Sequence, residues 1–147
     1  MLEVKSIPVR ELMSREVVIV APKDPIDRIE QQFLAYNIHH IPVVDEEGRL
    51  KGIISKGDLD RIKLAVDLYF TSNDEKVKAE NIMTSEVACV GPDVTIGEAA
   101  DIFMANIFHA LPVLEDGRLV GILTTHDLLK YCFSDRKLIE QQLILKS

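Results

Sequence analysis

Two short segments of this chain combine polar side chains with the kind of backbone that starts a helix, and each segment occurs twice. The first is Gly52-Ile53-Ile54-Ser55-Lys56-Gly57-Asp58, repeated as Gly121-Ile122-Leu123-Thr124-Thr125-His126-Asp127. It reads as a strand that ends in a hydroxyl residue and passes at once into a helix. Such a junction exposes free backbone N–H groups and the positive end of the helix dipole, which is a natural seat for phosphate. Lys56 and His126 add donors there. Asp58 and Asp127, one turn in, are suited to accept hydrogen bonds from the paired hydroxyls of a ribose. Ser55-x-x-Asp58 and Thr124-x-x-Asp127 also have capping-box spacing, which serves the helix alone. Spacing does not separate these two readings.

The second segment is Ile38-His39-His40-Ile41-Pro42-Val43, repeated as Phe108-His109-Ala110-Leu111-Pro112-Val113. A histidine three residues before the proline of a strand can donate to a phosphate, and the apolar residue before it can line a base. The same histidine can equally satisfy loop backbone groups. A zinc site is poorly supported: His39 and His40 are adjacent, the second copy has one histidine, and no cysteine or acid completes a ligand set. Ser55 lacks a Gly-x-Ser-x-Gly context, and neither Cys89 nor Cys132 sits in a catalytic or paired-cysteine signature. An enzyme would have to find its general base among His39, His109 and His126. No catalytic residue and no metal ligand is assigned.

The elements that must position these residues are themselves duplicated. Met13 and Met83, Pro22 and Pro92, Phe33 and Phe103, His39 and His109, and Pro42 and Pro112 are each 70 residues apart. One residue is lost in a turn, after which Gly48 and Gly117, Gly52 and Gly121, and Asp58 and Asp127 are 69 apart. Each copy predicts strand, helix, strand, strand, helix. The first strands are 17–20 and 87–90. Helices follow, with Ile26, Ile29, Phe33 and Tyr36 or Asn37, and then Ile96, Ala99 or Ala100, Phe103 and Ile107, at helical spacing. Asp24-Pro25 predicts an N-cap followed by a first-turn proline, and Thr95 with Glu98 a capping box. Hairpins 41–45/50–55 and 111–115/119–124 turn at Glu47-Gly48 and Asp116-Gly117. The last helices carry Leu59, Ile62, Val66 and Tyr69 in copy one and span about 125–133 in copy two. The chain divides into copy one with its lead-in (1–70), a polar linker (71–80), copy two (81–134) and a tail (135–147) whose apolar spacing suits a helix with an unpartnered face.

A chain of 147 residues suits one compact unit. A copy of roughly 60 residues has a marginal core alone, so the two copies are expected to bury their apolar faces on each other. Composition is that of an ordinary globular protein, with 47% hydrophobic and 28% charged residues. The net charge of −7 opposes a nucleic-acid footprint. Apolar runs such as 17–21 are too short to span a bilayer, and the start of the sequence lacks a signal-peptide layout. A cytoplasmic location and no membrane partner are the expectation.

An M-[ST]-x-x-V segment, a helix, an H-x-x-P-V-[VL] strand and a G-I-[IL]-[ST]-x-x-D junction, in tandem, resemble a pair of CBS domains, the modules first named from cystathionine β-synthase. The resemblance covers about 130 residues. It implies an α/β (α+β) fold of two β-α-β-β-α repeats packed with pseudo-twofold symmetry, two clefts at their seam, and modules that pair as homodimers. It also implies a regulatory sensor that takes AMP, ADP, ATP or S-adenosylmethionine and acts on a client protein of unknown identity, with no cofactor required. Carried over by position, one cleft uses Ser55, Lys56 and Asp58 with Val87, Ala88 and Phe108. The other uses Thr124, Thr125, His126 and Asp127 with Val17, Val18 and Ile38. His39 and His109 face the phosphates. The copies differ at Lys56-Gly57 against Thr125-His126 and at His40 against Ala110, where the two sites are expected to diverge. The alternative is a dimerising or docking module that binds no ligand.

Overall fold

The computed structural model describes residues 4–69, 77–106 and 108–133. Two 3-10 turns, Val4–Ser6 and Val9–Glu11, lead into α1 (Ile26–Ala35), β1 (His40–Val44), β2 (Leu50–Ser55) and α2 (Lys56–Tyr69). Then come α3 (Ala79–Ile82), α4 (Ile96–Ala105), β3 (Ala110–Glu115), β4 (Arg118–Thr124) and α5 (Thr125–Cys132). Each copy is thus a two-stranded antiparallel sheet with helices packed on it, a mixed α+β arrangement. Linker residues 71–76, the tail from 134 onward and Ile107 lie outside the described residues.

Helical spacing decides which residues each helix buries. Ile26, Ile29 and Phe33 of α1 are buried, as are Ile96, Ala99 and Phe103 of α4. Thr95 caps α4 by accepting from the Glu98 N–H at 3.2 Å. Both hairpins keep matching registers, from His40 opposite Ser55 and from Ala110 opposite Thr124. The Asp116-Gly117 turn takes φ of 53° and 79°, both positive, as the tightest hairpin turn requires.

Three local expectations are corrected. Residues 17–20 and 87–90 are not strands: only Val20 and Val90 bridge, in parallel, to Val43 and Val113. Val20 N–H donates to Pro42 O at 3.1 Å, and Val44 N–H donates to Val20 O at 2.9 Å. The next rung would need an N–H from Pro42 to reach Val18, and proline has none. Pro112 stops the second ladder in the same way, after Val90 N–H to Pro112 O at 3.1 Å and Leu114 N–H to Val90 O at 2.9 Å. Asp24 does not cap α1. Pro25 holds the cap position, and Asp24 Oδ2 instead accepts from Ala21 N–H at 2.8 Å within the preceding turn. Finally, α1 ends before Tyr36, whose backbone is extended at φ −124° and ψ 145°; Tyr36 and Asn37 are exposed, so no core contact draws the helix onward.

The copies are joined by exchanging their lead-ins. Ser14 pairs with Ile122 of β4 through two hydrogen bonds, of 2.9 and 3.0 Å, and Thr84 pairs with Ile53 of β2 through two of the same lengths. Val9 and Met13 accordingly sit in the core of copy two, with Phe103, Leu111 and Leu123. Ala79 sits in the core of copy one, with Ile29, Ile41 and Leu59, and Met83 packs against it. The exchange is reciprocal at equivalent positions, which is the pseudo-twofold relation between the halves.

Candidate functional site

The two strand-to-helix junctions lie at the seam. Ser55 ends β2 and Lys56 begins α2; Thr124 ends β4 and Thr125 begins α5. Each helix start is tied to a histidine loop: Lys56 N–H donates to His39 O at 2.9 Å, and Thr125 N–H donates to His109 O at 3.0 Å. Backbone hydrogen bonds thus place the imidazole-bearing segments beside the positive ends of the helix dipoles.

The two junctions differ in detail. Asp127 N–H donates to Thr124 Oγ1 at 3.1 Å, and Thr124 N–H donates to Asp127 Oδ2 at 2.9 Å, a complete capping box. Asp58 N–H donates to Ser55 Oγ at 3.1 Å, but the Asp58 carboxylate turns to Arg61 one helical turn on. Capping is therefore real at both junctions and reciprocal only in the second.

A cavity of about 780 Å³ opens at the second junction. Thr124, Thr125, His126 and Asp127 of copy two line it opposite Val17, Val18, Ile38 and His39 of copy one. Ser55, Lys56 and His109 line it too. The set assigned to the other cleft is not brought together here. Asp58, Val87, Ala88 and Phe108 do not line this cavity. Phe108 instead packs edge-on against Phe103, with ring centroids 6.5 Å apart, on the core of copy two. Val17 and Val18 are half-buried in the cavity wall because the parallel ladder stops at Val20, as the prolines dictate.

Sequence reasoning does not reach the lining residues Ser14, Glu16, Asn37, Ile122 and Leu129, and it marks His40 and Gly57, which also line the cavity, only as places where the copies differ. His40 had a usable signal, since it lies directly across from Ser55 in the hairpin and cross-strand partners share a face. Ser14 and Ile122 depend on the lead-in exchange, which leaves no local pattern. With His40 included, all four histidines of the chain line one cavity. Burial pushes the His40 pKa below the ordinary value of 6.5, and the neighbouring His109 and His39 push it the same way, against a smaller opposing pull from Asp58.

Among the described residues no group of three or more histidine, cysteine, aspartate or glutamate side chains is placed to hold a metal ion. No helix among them is long and apolar enough to cross a membrane. Cys89 and Cys132 are free thiols.

Known proteins share this pattern. The family model for the CBS domain matches residues 9–64 and 79–134. Inosine-5'-monophosphate dehydrogenase of Methanocaldococcus jannaschii is 34% identical over 121 residues, which are 82% of this chain but only 22% of that enzyme's length. A CBS domain-containing protein of Dictyostelium discoideum is 33% identical over 130 residues, covering 82% of this chain and 88% of that protein. The crystal structure of the CBS domain pair of protein MJ0100, in complex with 5'-methylthioadenosine and S-adenosyl-L-methionine, superposes with a TM-score of 0.72 at 28% identity, over 84% of this chain and 94% of that one. Two matched copies, in the order and at the spacing of the duplicated sequence, place this chain in the CBS domain family as a tandem pair.

Proposed function

We propose that this chain is a regulatory module that binds one adenosine-containing ligand in the cavity at the seam. The observation that carries this reading is the meeting of Asp127 and the start of α5 with Val17, Val18 and Ile38 of the other copy across one cavity. The carboxylate of Asp127 takes the ribose hydroxyls. Val17, Val18 and Ile38 enclose the base with apolar surface, while Thr124 and Thr125 stand beside the sugar. Ser55, Lys56, His39, His109 and His126 lie toward the phosphate end. The ligand pair held by the MJ0100 relative supports the adenosine part of the reading.

The mirror cleft of Ser55, Lys56, Asp58, Val87, Ala88 and Phe108 is reduced in this reading. Arg61 occupies Asp58, and Phe108 is committed to the core. Because both copies wall the cavity, a ligand clamps them together and favours one relative setting, which a client protein then reads. The module performs no bond chemistry of its own.

Calorimetric titration with AMP, ADP, ATP and S-adenosylmethionine tests the reading. One molar equivalent should bind, and Asp127→Ala should abolish or sharply weaken it. A ligand at a hundredfold excess over Kd stabilises the fold by about 2.7 kcal/mol, so a thermal shift should accompany the heat. Absence of both with all four compounds at millimolar concentration would overturn it.

Apolar side chains on outer helix faces favour a second, compatible reading. Leu64 and Leu68 of α2 are 63% and 70% exposed, and Phe133 after α5 is 63% exposed. These surfaces suit pairing of two modules as a homodimer, and sedimentation of wild type against Leu64→Glu/Leu68→Glu decides it.

A further inference from the structure

The wall of the cavity is poorly charged for an anion unless its histidines hold protons. With the four imidazoles neutral, Lys56 is the one lining cation among the described residues, and two carboxylates, Glu16 and Asp127, line the cavity with it. The chain as a whole carries −7, so the distant field also disfavours an anion. The helix starts contribute only partial positive charge. Yet His39, His40, His109 and His126 all line this one space. They come from both copies: His39 and His40 from the loop and first residue of β1, His109 from the loop before β3, and His126 from the first turn of α5.

We propose that this cavity captures a phosphate-bearing ligand together with protons, the histidine set supplying the positive charge only as the anion arrives. The proposal rests on the reading of the cavity as an adenosine-ligand site and narrows that ligand to the phosphorylated class, against the cationic S-adenosylmethionine. The balance is simple: each imidazole gains one proton on its free ring nitrogen from solvent, and the phosphate oxygens accept the resulting N–H bonds.

The surroundings of His40 favour its neutral form. His40, in β1, faces His39 of its own loop, His109 of the opposite loop and Asp58 of α2, with Lys56, His126, Glu16 and Asp127 in the surrounding wall. Burial and the two neighbouring histidines both disfavour its charge, and Asp58 only partly opposes them. A bound phosphate reverses this balance, because an adjacent anion raises imidazole pKa values. Linkage fixes the sign. A group whose pKa is raised by ligand strengthens binding fully below its free-state pKa, and that gain is lost as pH rises through the bound-state pKa. Affinity for a phosphorylated ligand therefore falls from mildly acidic to mildly alkaline pH.

The histidine Hε1 resonances of the intact protein test this directly, since the sequence has four histidines and all line the site. Their titration is followed alone, then with ADP, with pyrophosphate and with S-adenosylmethionine. They report the protein's own protons, so protonation of the nucleotide does not enter. At least two midpoints should rise by about one unit with ADP or pyrophosphate, equivalent to roughly tenfold tighter binding by each protonated form. ADP affinity should drop about tenfold or more between pH 6 and pH 8, and less in His40→Gln/His109→Gln. If ADP binds and all four midpoints stay fixed, the proton coupling is overturned while the adenosine reading stands. Binding of S-adenosylmethionine alone also overturns the phosphate proposal and keeps the adenosine reading. If pyrophosphate binds with raised midpoints and no adenosine compound binds, the coupling survives and the adenosine reading falls. Binding by none of the three overturns both.

Discussion

Thr124 and Asp127 hold each other twice, each donating its backbone N–H to the other's side chain, at 2.9 and 3.1 Å. The same carboxylate lines the cavity. One side chain thus starts α5 and faces the ligand position, and the two roles separate chemically. Asp127→Asn keeps an amide oxygen for the Thr124 N–H, so most of the cap survives. Asp127→Ala loses the cap and should cost about 1 kcal/mol of stability. Both should weaken an adenosine ligand by tenfold or more, because hydrogen bonds to a charged acceptor are worth about 1.5–3 kcal/mol. Chemical denaturation read beside calorimetry checks this; equal affinity in wild type and Asp127→Asn refutes the ribose role.

Asp58 is the internal control. It has the matching place in copy one, but it pairs with Arg61 and does not line the cavity. Asp58→Ala should leave stoichiometry at one and change affinity far less than Asp127→Ala. Loss of half the binding capacity on Asp58→Ala would instead establish a second working cleft.

His40 makes the stability of the empty protein pH-dependent. Its folded-state pKa lies below 6.5, so the unfolded chain takes up its proton first as pH falls. The contribution is fully present above about pH 6.5 and is lost as pH drops through the lowered folded-state value. His40→Gln should flatten the melting-temperature profile in that window and leave the alkaline side unchanged. A wild-type profile with no fall there contradicts the expectation.

Gly52 and Gly121 are where one copy's lead-in crosses the other copy's strand. A Cβ on Gly52 would stand 2.7 Å from Thr84 O and 2.6 Å from Met83 Sδ; on Gly121 it would stand 3.0 Å from Ser14 O and 2.5 Å from Met13 Sδ. Methionine ends can move, but paired backbone carbonyls move little. Gly52→Ala should therefore destabilise more than Gly121→Ala, with each in the range of about 1–3 kcal/mol typical of overpacking. Urea midpoints rank them.

Met13 belongs to the lead-in of copy one but is buried in the core of copy two. Met13→Ala should cost about 2–5 kcal/mol. Hydrogen exchange should show β4 losing protection before β2. The opposite order would contradict the cross-copy packing.

Much of this architecture was legible because duplication doubled every signal. The hairpin turns followed from Asp116-Gly117 and Glu47-Gly48, whose glycines take positive φ, and helix faces followed from the spacing of Ile26, Ile29 and Phe33. The first strands were misread because Val17 and Val18 have strand-like composition, while the ladder they would join is cut by Pro42, some 25 residues away. Thr124–Asp127 and the histidine loop are legible as short local segments, whereas their grouping with Val17, Val18 and Ile38 of the other copy is implied by the family resemblance and not by any local pattern. Ser14 and Ile122 are not legible as lining residues because their places depend on the exchange of lead-ins, which is not written in any short window.

The exchanged lead-ins also bear on how this protein comes to exist at all. A nascent chain has no complete copy one until Ala79 and Met83 emerge, and copy two closes over Val9 and Met13, made long before. Such long-range closure slows folding. A single unduplicated copy could satisfy the same contacts only by trading lead-ins with an identical chain, as a twofold dimer. Fusing two copies turned that encounter between separate molecules into one within a single chain, at an effective concentration set by the connection rather than by expression. The halves are then free to diverge, as His40 and Ala110 have, without losing one another.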